Sequence, residues 1–556
     1  MMETFLDRFH RDQAAHPLRD RAAFTPKLLS VLREGYGAAR LRADAIAGLT
    51  VAIVALPLAM ALGVASGASP DKGLVTAIAA GFLISLLGGS RVQIGGPTGA
   101  FVVVVFNVIA AHGYDGLLLA TLLAGVILII AGYAQLGRLI KFIPHPVITG
   151  FTAGIAVIIA ASQIKDFLGI ALVEVPADFL PKIAAYAGAI GSVQPAALAV
   201  GGATLALILA MRRYAPKLPA FLVAVIAASL VVPLLNLPVE TIGARFPDMA
   251  IGLPAPTLPD WSLAKVQQVM PAALTIAFLA GIEALLSCVV ADGMTGFRHR
   301  SNQELVGQGV ANMASALFGG LPATGAIART AANVKSGGRT PMAGIFHAIF
   351  LLLFVLVGGS LMKAVPMAAL AAILFVVAWG MSEAKRFAAL LKMPIGERGV
   401  LIATFLLTVL VDLTVAIGVG VTLASLIFMA RMSATVEVTA ESESEEADQR
   451  DSLPEGVEVF RISGPFFFGV AGELLDALKR IGRMPRAIIL RMELAPYLDA
   501  SGAAALGEFV ADATSQGATV ILCGVQPQPA EVLDRAGLGG VFRAEDYPNA
   551  LALAGA

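Results

Sequence analysis

Between residues 45 and 431 the chain is a succession of long apolar stretches separated by short polar or charged joints. The stretches fall at 45–65, 72–90, 116–135, 146–163, 195–211, 217–236, 271–291, 303–318, 341–361, 364–381, 396–412 and 413–431. Each comes close to the roughly 20 apolar residues that a helix needs to cross the hydrocarbon core of a bilayer. Two shorter apolar pieces begin at Thr98 and Thr324. The pattern predicts fourteen membrane segments within residues 44–432. A polar segment, 1–43, precedes them and lacks the apolar core and cleavage site of a signal peptide.

Both short pieces follow a break rich in Gly and Pro, Gly95-Gly96-Pro97-Thr98-Gly99-Ala100 and Gly319-Gly320-Leu321-Pro322-Ala323-Thr324-Gly325-Ala326. They fall at the third and tenth segments, equivalent positions in two halves of seven. An odd number of passes per half turns the second half upside down in the membrane, the inverted repeat of many carriers. Two helices starting near the bilayer middle then face each other. Each presents free N–H groups and about half an elementary positive charge to an anion.

Cationic residues agree with the count, because Lys and Arg gather on the cytoplasmic side of helix ends. With the N-terminus inside, the inner joints hold Arg40, Arg42, Arg91, Arg138, Lys141, Arg212, Arg213, Lys217, Arg298, Arg300, Lys335, Arg339, Lys385, Arg386, Lys392, Arg398 and Arg431. The outer joints hold only Lys72, Lys165, Lys182, Arg245, Lys265 and Lys363. Omitting one short segment would invert every later loop. Both termini are expected in the cytoplasm.

Composition fits a polytopic membrane protein, with 57% hydrophobic and 14% charged residues against about 25% charged in soluble chains. The formal net charge is zero, and nothing in its distribution points to nucleic acid. Cys288 and Cys523 lie too far apart in sequence and setting to indicate a disulfide framework or a metal cluster. Neither a Ser-His-Asp set, nor metal-ligand spacing, nor a phosphate loop is evident, so no enzyme, metal or cofactor is expected. After Arg431 the composition changes. An acidic linker over 433–454, centred on Glu441 to Glu446, leads to a second domain over 455–556. Strands are predicted at 457–462, 487–490 and 518–523 and helices at 472–480 and 503–514, the alternation of a small α/β domain.

The run Gly281-Ile282-Glu283-Ala284-Leu285-Leu286-Ser287-Cys288, continuing to Gly296, resembles the eighth-helix signature of the sulfate permease family, solute carrier family 26. Further resemblances lie at Gly48 to Thr50, Pro57 to Ala61, Ile164 to Gly169, Leu305 to Gly309 and Ala328 to Asn333. The C-terminal region is similar to a STAS domain, with Leu498-Asp499-Ala500-Ser501-Gly502 at its strand-to-helix turn. Within the family the chain is most similar to the branch that carries C4-dicarboxylates. The resemblance implies core and gate bundles, an anion site between the third and tenth helices, elevator-like alternating access, a homodimer, and the bacterial inner (plasma) membrane.

Thr98, Gly99, Ala100 and Phe101 on one side, and Thr324, Gly325, Ala326, Ile327 and Ala328 on the other, are the expected anion cradle. Thr caps helix starts, while Gly and Ala let an anion approach the backbone. The plainer alternative is that such breaks only relieve packing. Arg329, about one turn into the tenth helix, is expected to line the same cavity or to serve as a structural partner. Glu283 stands in an apolar helix, where an ionised carboxylate needs a proton, a cation or Arg329 to neutralise it. With Ser287 one turn later, the resemblance implies either a sodium site or a proton-linked glutamate. A fixed pair with Arg329 is a third reading. Leu58 replaces a common family Gln, and Phe101 and Met60 are offered as apolar walls for a dicarboxylate or as plain packing. Asp44, Asp292, Glu304 and Asp412 lie mostly near expected helix ends, within reach of water, and His347 lies deeper as a structural residue. Ser501 is a candidate regulatory phosphosite or part of an N-cap.

Together these features predict a secondary active carrier of a small anion, coupled to protons, with succinate or fumarate preferred. Rival readings are sodium- or proton-linked bicarbonate or sulfate transport, and a membrane-anchored signalling platform whose STAS domain binds a cytoplasmic regulator.

Overall fold

The computed structural model describes residues 24–137, 144–172, 175–176, 178–216, 218–250, 252–411, 413–434, 437–440, 454–467 and 485–555. Asp412, most of the acidic linker and the helix expected at 472–480 lie outside the described residues. By its contacts the chain divides into two units, one up to Val421 and one from Thr422 onward.

In the first unit a short helix α1 (Lys27–Arg33) precedes α2 (Ala38–Ala65) and α3 (Pro70–Leu87). A two-residue strand β1 (Gly95–Gly96) leads into α4 (Phe101–Tyr133), which is followed by α5 (His145–Leu168), the short α6 (Phe179–Gly188), α7 (Pro195–Tyr214), α8 (Ala220–Leu234) and α9 (Ile242–Arg245). The second half runs through α10 (Leu263–Thr295), α11 (Ser301–Leu317), β2 (Thr324–Gly325), α12 (Ile327–Lys335), α13 (Met342–Met362), α14 (Met367–Met381), α15 (Ala384–Leu390), α16 (Ile395–Leu410) and α17 (Leu413–Ser433). Among the described residues nine helices are long and apolar enough to span a bilayer. The others account for the rest of the sequence pattern. α4 breaks at Gly113, where φ is 71°, and so holds both the short third segment and the full fourth. α8, α11, α12 and α16 are shorter but coincide with expected segments. The two short helices begin at Phe101 and Ile327, three residues later than expected.

Two bundles result. α2, α3, α4, α10, α11, α12 and α13 pack on one another, and α5 packs with α14 and α16 while α7 packs with α8 and α14. Small residues set these spacings, as expected where lipid supplies no hydrophobic drive between helices. A Cβ at Gly125 of α4 would lie 2.6 Å from the Gly309 carbonyl of α11, and one at Gly309 would lie 2.5 Å from the Gly125 carbonyl. Carboxylates stitch the halves of the first bundle together. Asp44 of α2 accepts the backbone N–H groups of Arg339 and Thr340 at 2.9 and 3.2 Å, just after α12. Glu304 of α11 accepts those of Gly89 and Ser90 at 2.8 and 3.1 Å, just before β1. Both side chains are fully buried, which corrects the expectation that water reaches them.

The second unit holds a five-stranded sheet in the order β3 (Glu437–Ala440), β4 (Val457–Ser463), β5 (Ala487–Leu494), β6 (Thr519–Cys523) and β7 (Phe542–Ala544). β3 runs antiparallel to β4 and the rest are parallel. Thus residues 437–440, inside the expected linker, form a strand of the domain. Alternation along β4 sends Val457 and Val459 to one apolar cluster and Phe460 and Ile462 to another. α18 (Ala500–Ser515) and α19 (Pro527–Arg535) contribute to the second cluster and α20 (Tyr547–Gly555) to the first.

Candidate functional site

The two Gly-rich breaks meet. β1 and β2 pair antiparallel, Gly95 opposite Gly325 and Gly96 opposite Thr324, so the crossovers of the two halves become one ribbon from which α4 and α12 depart. The Ala326 N–H donates to the Ile94 carbonyl at 2.9 Å and extends the ribbon. Gly325 and Gly96 both stand in tight positions, and Gly96 also stands at φ 147°. A Cβ at Gly325 would fall 1.3 Å from Gln93 Nε2, and one at Gly96 would fall 2.2 Å from an Arg329 Nη. At the start of α4 the N–H groups of Phe101 and Val102 turn back to the carbonyls of Thr98 and Gly99, at 3.3 and 3.1 Å. Those of Gly99 and Ala100 have no acceptor among the described residues. In α12 the first-turn groups of Ile327, Ala328 and Arg329 have no intrahelical acceptor. Ile327 and Ala328 are exposed, and Ile327 reaches 42%. On the α4 side, the space beside Gly99 is filled by Met381 and Ile159, since a Cβ there would lie 2.6 Å from Met381 Sδ and 3.0 Å from Ile159 Cδ1.

Neither threonine caps its helix, against expectation. Thr98 donates its hydroxyl to Glu283 Oε2 at 2.7 Å, and Thr324 donates to the Ala280 carbonyl at 2.7 Å. Both acceptors belong to α10, so the hydroxyls tie the two breaks to that helix. Glu283 is half-buried. Arg329 is 3% exposed and its Nη2 donates to the Pro97 carbonyl at 3.1 Å, while Nε and Nη1 have no partner among the described residues. No ion pair joins Glu283 to Arg329 among the described residues, so the fixed pair is not formed. The two charges bond instead to adjacent residues of one turn, Thr98 and Pro97. Ser287 also departs from expectation. It donates to Thr330 Oγ1 at 3.2 Å, which in turn accepts the Ile94 N–H at 3.1 Å. Phe101 and Met60 are buried in the main apolar core, 2% and 0% exposed, and form no wall of the site.

A polar stripe that the sequence reading passed over holds the ribbon in place. Glu304, Gln308, Asn312 and Ser315 recur at helical spacing along one face of α11, all buried. Gln308 donates to Glu304 Oε1 at 2.8 Å. Asn312 exchanges two bonds with the Ala323 backbone at 2.9 Å each, and Ser315 donates to the Leu321 carbonyl at 2.6 Å. From α12, Asn333 donates to the Val92 carbonyl at 2.8 Å. Side-chain amides inside an apolar helix were the available signal, because each must find a partner there. His347, fully buried, has no hydrogen-bond partner on either ring nitrogen among the described residues. In the second unit Asp499 caps α18 by accepting the Gly502 N–H at 2.7 Å, leaving Ser501 exposed at the helix start.

Residues 41–404 match the sulfate permease family and residues 452–549 match the STAS domain. The chain belongs to the sulfate permease family. It is 41% identical over 508 residues to the putative sulfate transporter YvdB of Bacillus subtilis, covering 91% of this chain and 95% of that protein. It is 33% identical over 526 residues to the bicarbonate transporter BicA of Picosynechococcus, covering 89% and 90%. Its fold matches murine solute carrier 26 family member A9, an anion transporter solved in the inward-facing state, with a TM-score of 0.84 at 16% identity over 100% of this chain and 98% of that one. This sulfate permease family member is therefore a membrane transporter of anions rather than an enzyme.

Proposed function

We propose that the chain moves a small inorganic oxyanion, bicarbonate or sulfate, across the bacterial plasma membrane, with both termini on the cytoplasmic side and Glu283 carrying a coupling proton. The observation behind this reading is the joining of the two helix starts by the β1–β2 ribbon, which presents the N–H groups of Gly99 and Ala100 and the first turn of α12 from opposed repeats. Backbone donors and a buried guanidinium suit an oxyanion with acceptors all round. The C4-dicarboxylate preferred from sequence loses its support, because Phe101 and Met60 are core residues and Met381 and Ile159 close over Gly99. The named relatives, a putative sulfate transporter and a bicarbonate transporter, favour the smaller ions.

Protons are favoured over sodium by the same geometry. Ser287 bonds to Thr330, so the two oxygens of a Glu283–Ser287 cation site are not assembled, whereas a lone half-buried carboxylate with one hydroxyl donor suits proton exchange. Transport then follows an elevator-like movement of the ribbon-bearing bundle against the other, in a homodimer. The test is counterflow in one proteoliposome preparation with labelled bicarbonate, sulfate, succinate and fumarate. Bicarbonate or sulfate is expected to be trapped, and replacing sodium by choline is expected to change nothing. Trapping of the dicarboxylates alone, or a strict sodium requirement, contradicts the reading.

A further inference from the structure

A cavity of about 170 Å³ lies beside the first turns of α4, walled also by α5, α6 and Arg245 of α9. Its charged lining groups are Lys165, Lys182, Arg245 and Asp166, three cations against one acid. Two of the cations are satisfied. Lys165 Nζ donates to the Leu172 carbonyl at 2.7 Å, and Arg245 is held by Asp166 at 2.8 and 3.1 Å and by Glu240. Lys182 differs. It is 4% exposed, its ammonium stands 5.3 Å from the centroid of the Phe106 ring, and among the described residues it has no hydrogen-bond acceptor. One turn further along α6, Tyr186 is equally buried at 4%, lines the same cavity, and has no hydrogen-bond partner among the described residues for its hydroxyl.

Two donors side by side on one helix face line the cavity without protein acceptors among the described residues, so a group with lone pairs that enters can take both. Burial holds the Lys182 ammonium below the usual lysine range, with Asp178 acting in the opposite sense, and an anion beside it would favour the charged form. Burial, with Asp166 adding to it, pushes the Tyr186 phenol up to about 12, which keeps it an O–H donor at physiological pH. The wall also includes Val102 and Val103, in the first turn of the helix whose start carries the Gly99 and Ala100 N–H groups.

We propose that this cavity is an anteroom for the transported oxyanion, in which Lys182 Nζ and Tyr186 Oη hold the ion on the α6 side of the membrane domain before it reaches the ribbon. This rests on the oxyanion reading above. A cleft of net positive lining raises the local concentration of an anion, so its loss shows most at low substrate.

The test uses the full chain in oriented proteoliposomes. In Lys182→Met the KM for bicarbonate or sulfate presented on the α6 side is expected to rise about tenfold, with a smaller rise in Tyr186→Phe, while the KM from the opposite side keeps its wild-type value. Equal KM values in wild type and Lys182→Met, or an equal rise on both sides, overturns the proposal. A second measurement separates it from the substrate assignment. Added sulfate or bicarbonate is expected to raise the Tm of the purified wild type more than that of Lys182→Met even if neither ion is transported. An identical shift in both proteins sinks the anteroom and leaves the substrate assignment to the counterflow result.

Discussion

A carboxylate in a membrane helix survives only with a partner, and the partner of Glu283 is the Thr98 hydroxyl at the start of the opposing repeat's half-helix. This bond links the coupling candidate to the anion cradle through one residue. In Glu283→Gln the side chain still accepts from Thr98 but cannot exchange a proton. That variant is expected to lose accumulation driven by an inward pH gradient while keeping anion exchange; accumulation that still rises with the gradient rules out its coupling role. Glu304 makes a different prediction. Its carboxylate satisfies two backbone N–H groups and Gln308, so Glu304→Ala leaves three buried donors without an acceptor and is expected to cost at least ~3 kcal/mol, seen as a lower Tm, whereas Glu304→Gln retains part of it. The sequence marks Glu283, Arg329 and the paired threonines by residue type and place. Partnership is not marked. Thr98 and Glu283 are 185 positions apart, and no spacing rule joins them, so the packing overrides both the expected capping by Thr98 and the alternative pairing of Glu283 with Arg329.

At the scale of elements, the half-helices are legible because Gly and Pro interrupt an apolar run in both halves, and the count of cationic loops requires both. The ribbon that joins them is not, since a two-residue strand carries no alternation. The stripe on α11 is readable in retrospect from Glu304, Gln308, Asn312 and Ser315 at helical spacing. Steric fit within the ribbon can be tested as a cycle. Gly325→Ala places a Cβ 1.3 Å from Gln93 Nε2 and is expected to abolish transport, and Gln93→Ala in the same protein is expected to recover part of it. If the double variant is as inactive as Gly325→Ala alone, the clash with Gln93 is not the cause.

On the scale of the whole molecule, seven and seven segments predict an inverted repeat, because helix number and loop charge are sequence properties, whereas the two bundles are implied only by the family resemblance. The contact of Met381 and Ile159 with Gly99 has no sequence signature. The second unit folds around its own two apolar clusters, so removing residues after Ser433 is expected to leave anion binding and uptake by the first unit in place. Loss of binding on truncation favours the signalling reading instead. The central claim is that the anion occupies the gap at the paired helix starts. Counterflow of bicarbonate and sulfate by wild type and Gly99→Val, compared at equal amounts of protein with the same gel-filtration profile, tests it most directly. The account expects trapping by the wild type and none by Gly99→Val, whose side chain adds to the crowding by Met381 and Ile159 and bars an anion from the Gly99 and Ala100 N–H groups; wild-type trapping by Gly99→Val contradicts it.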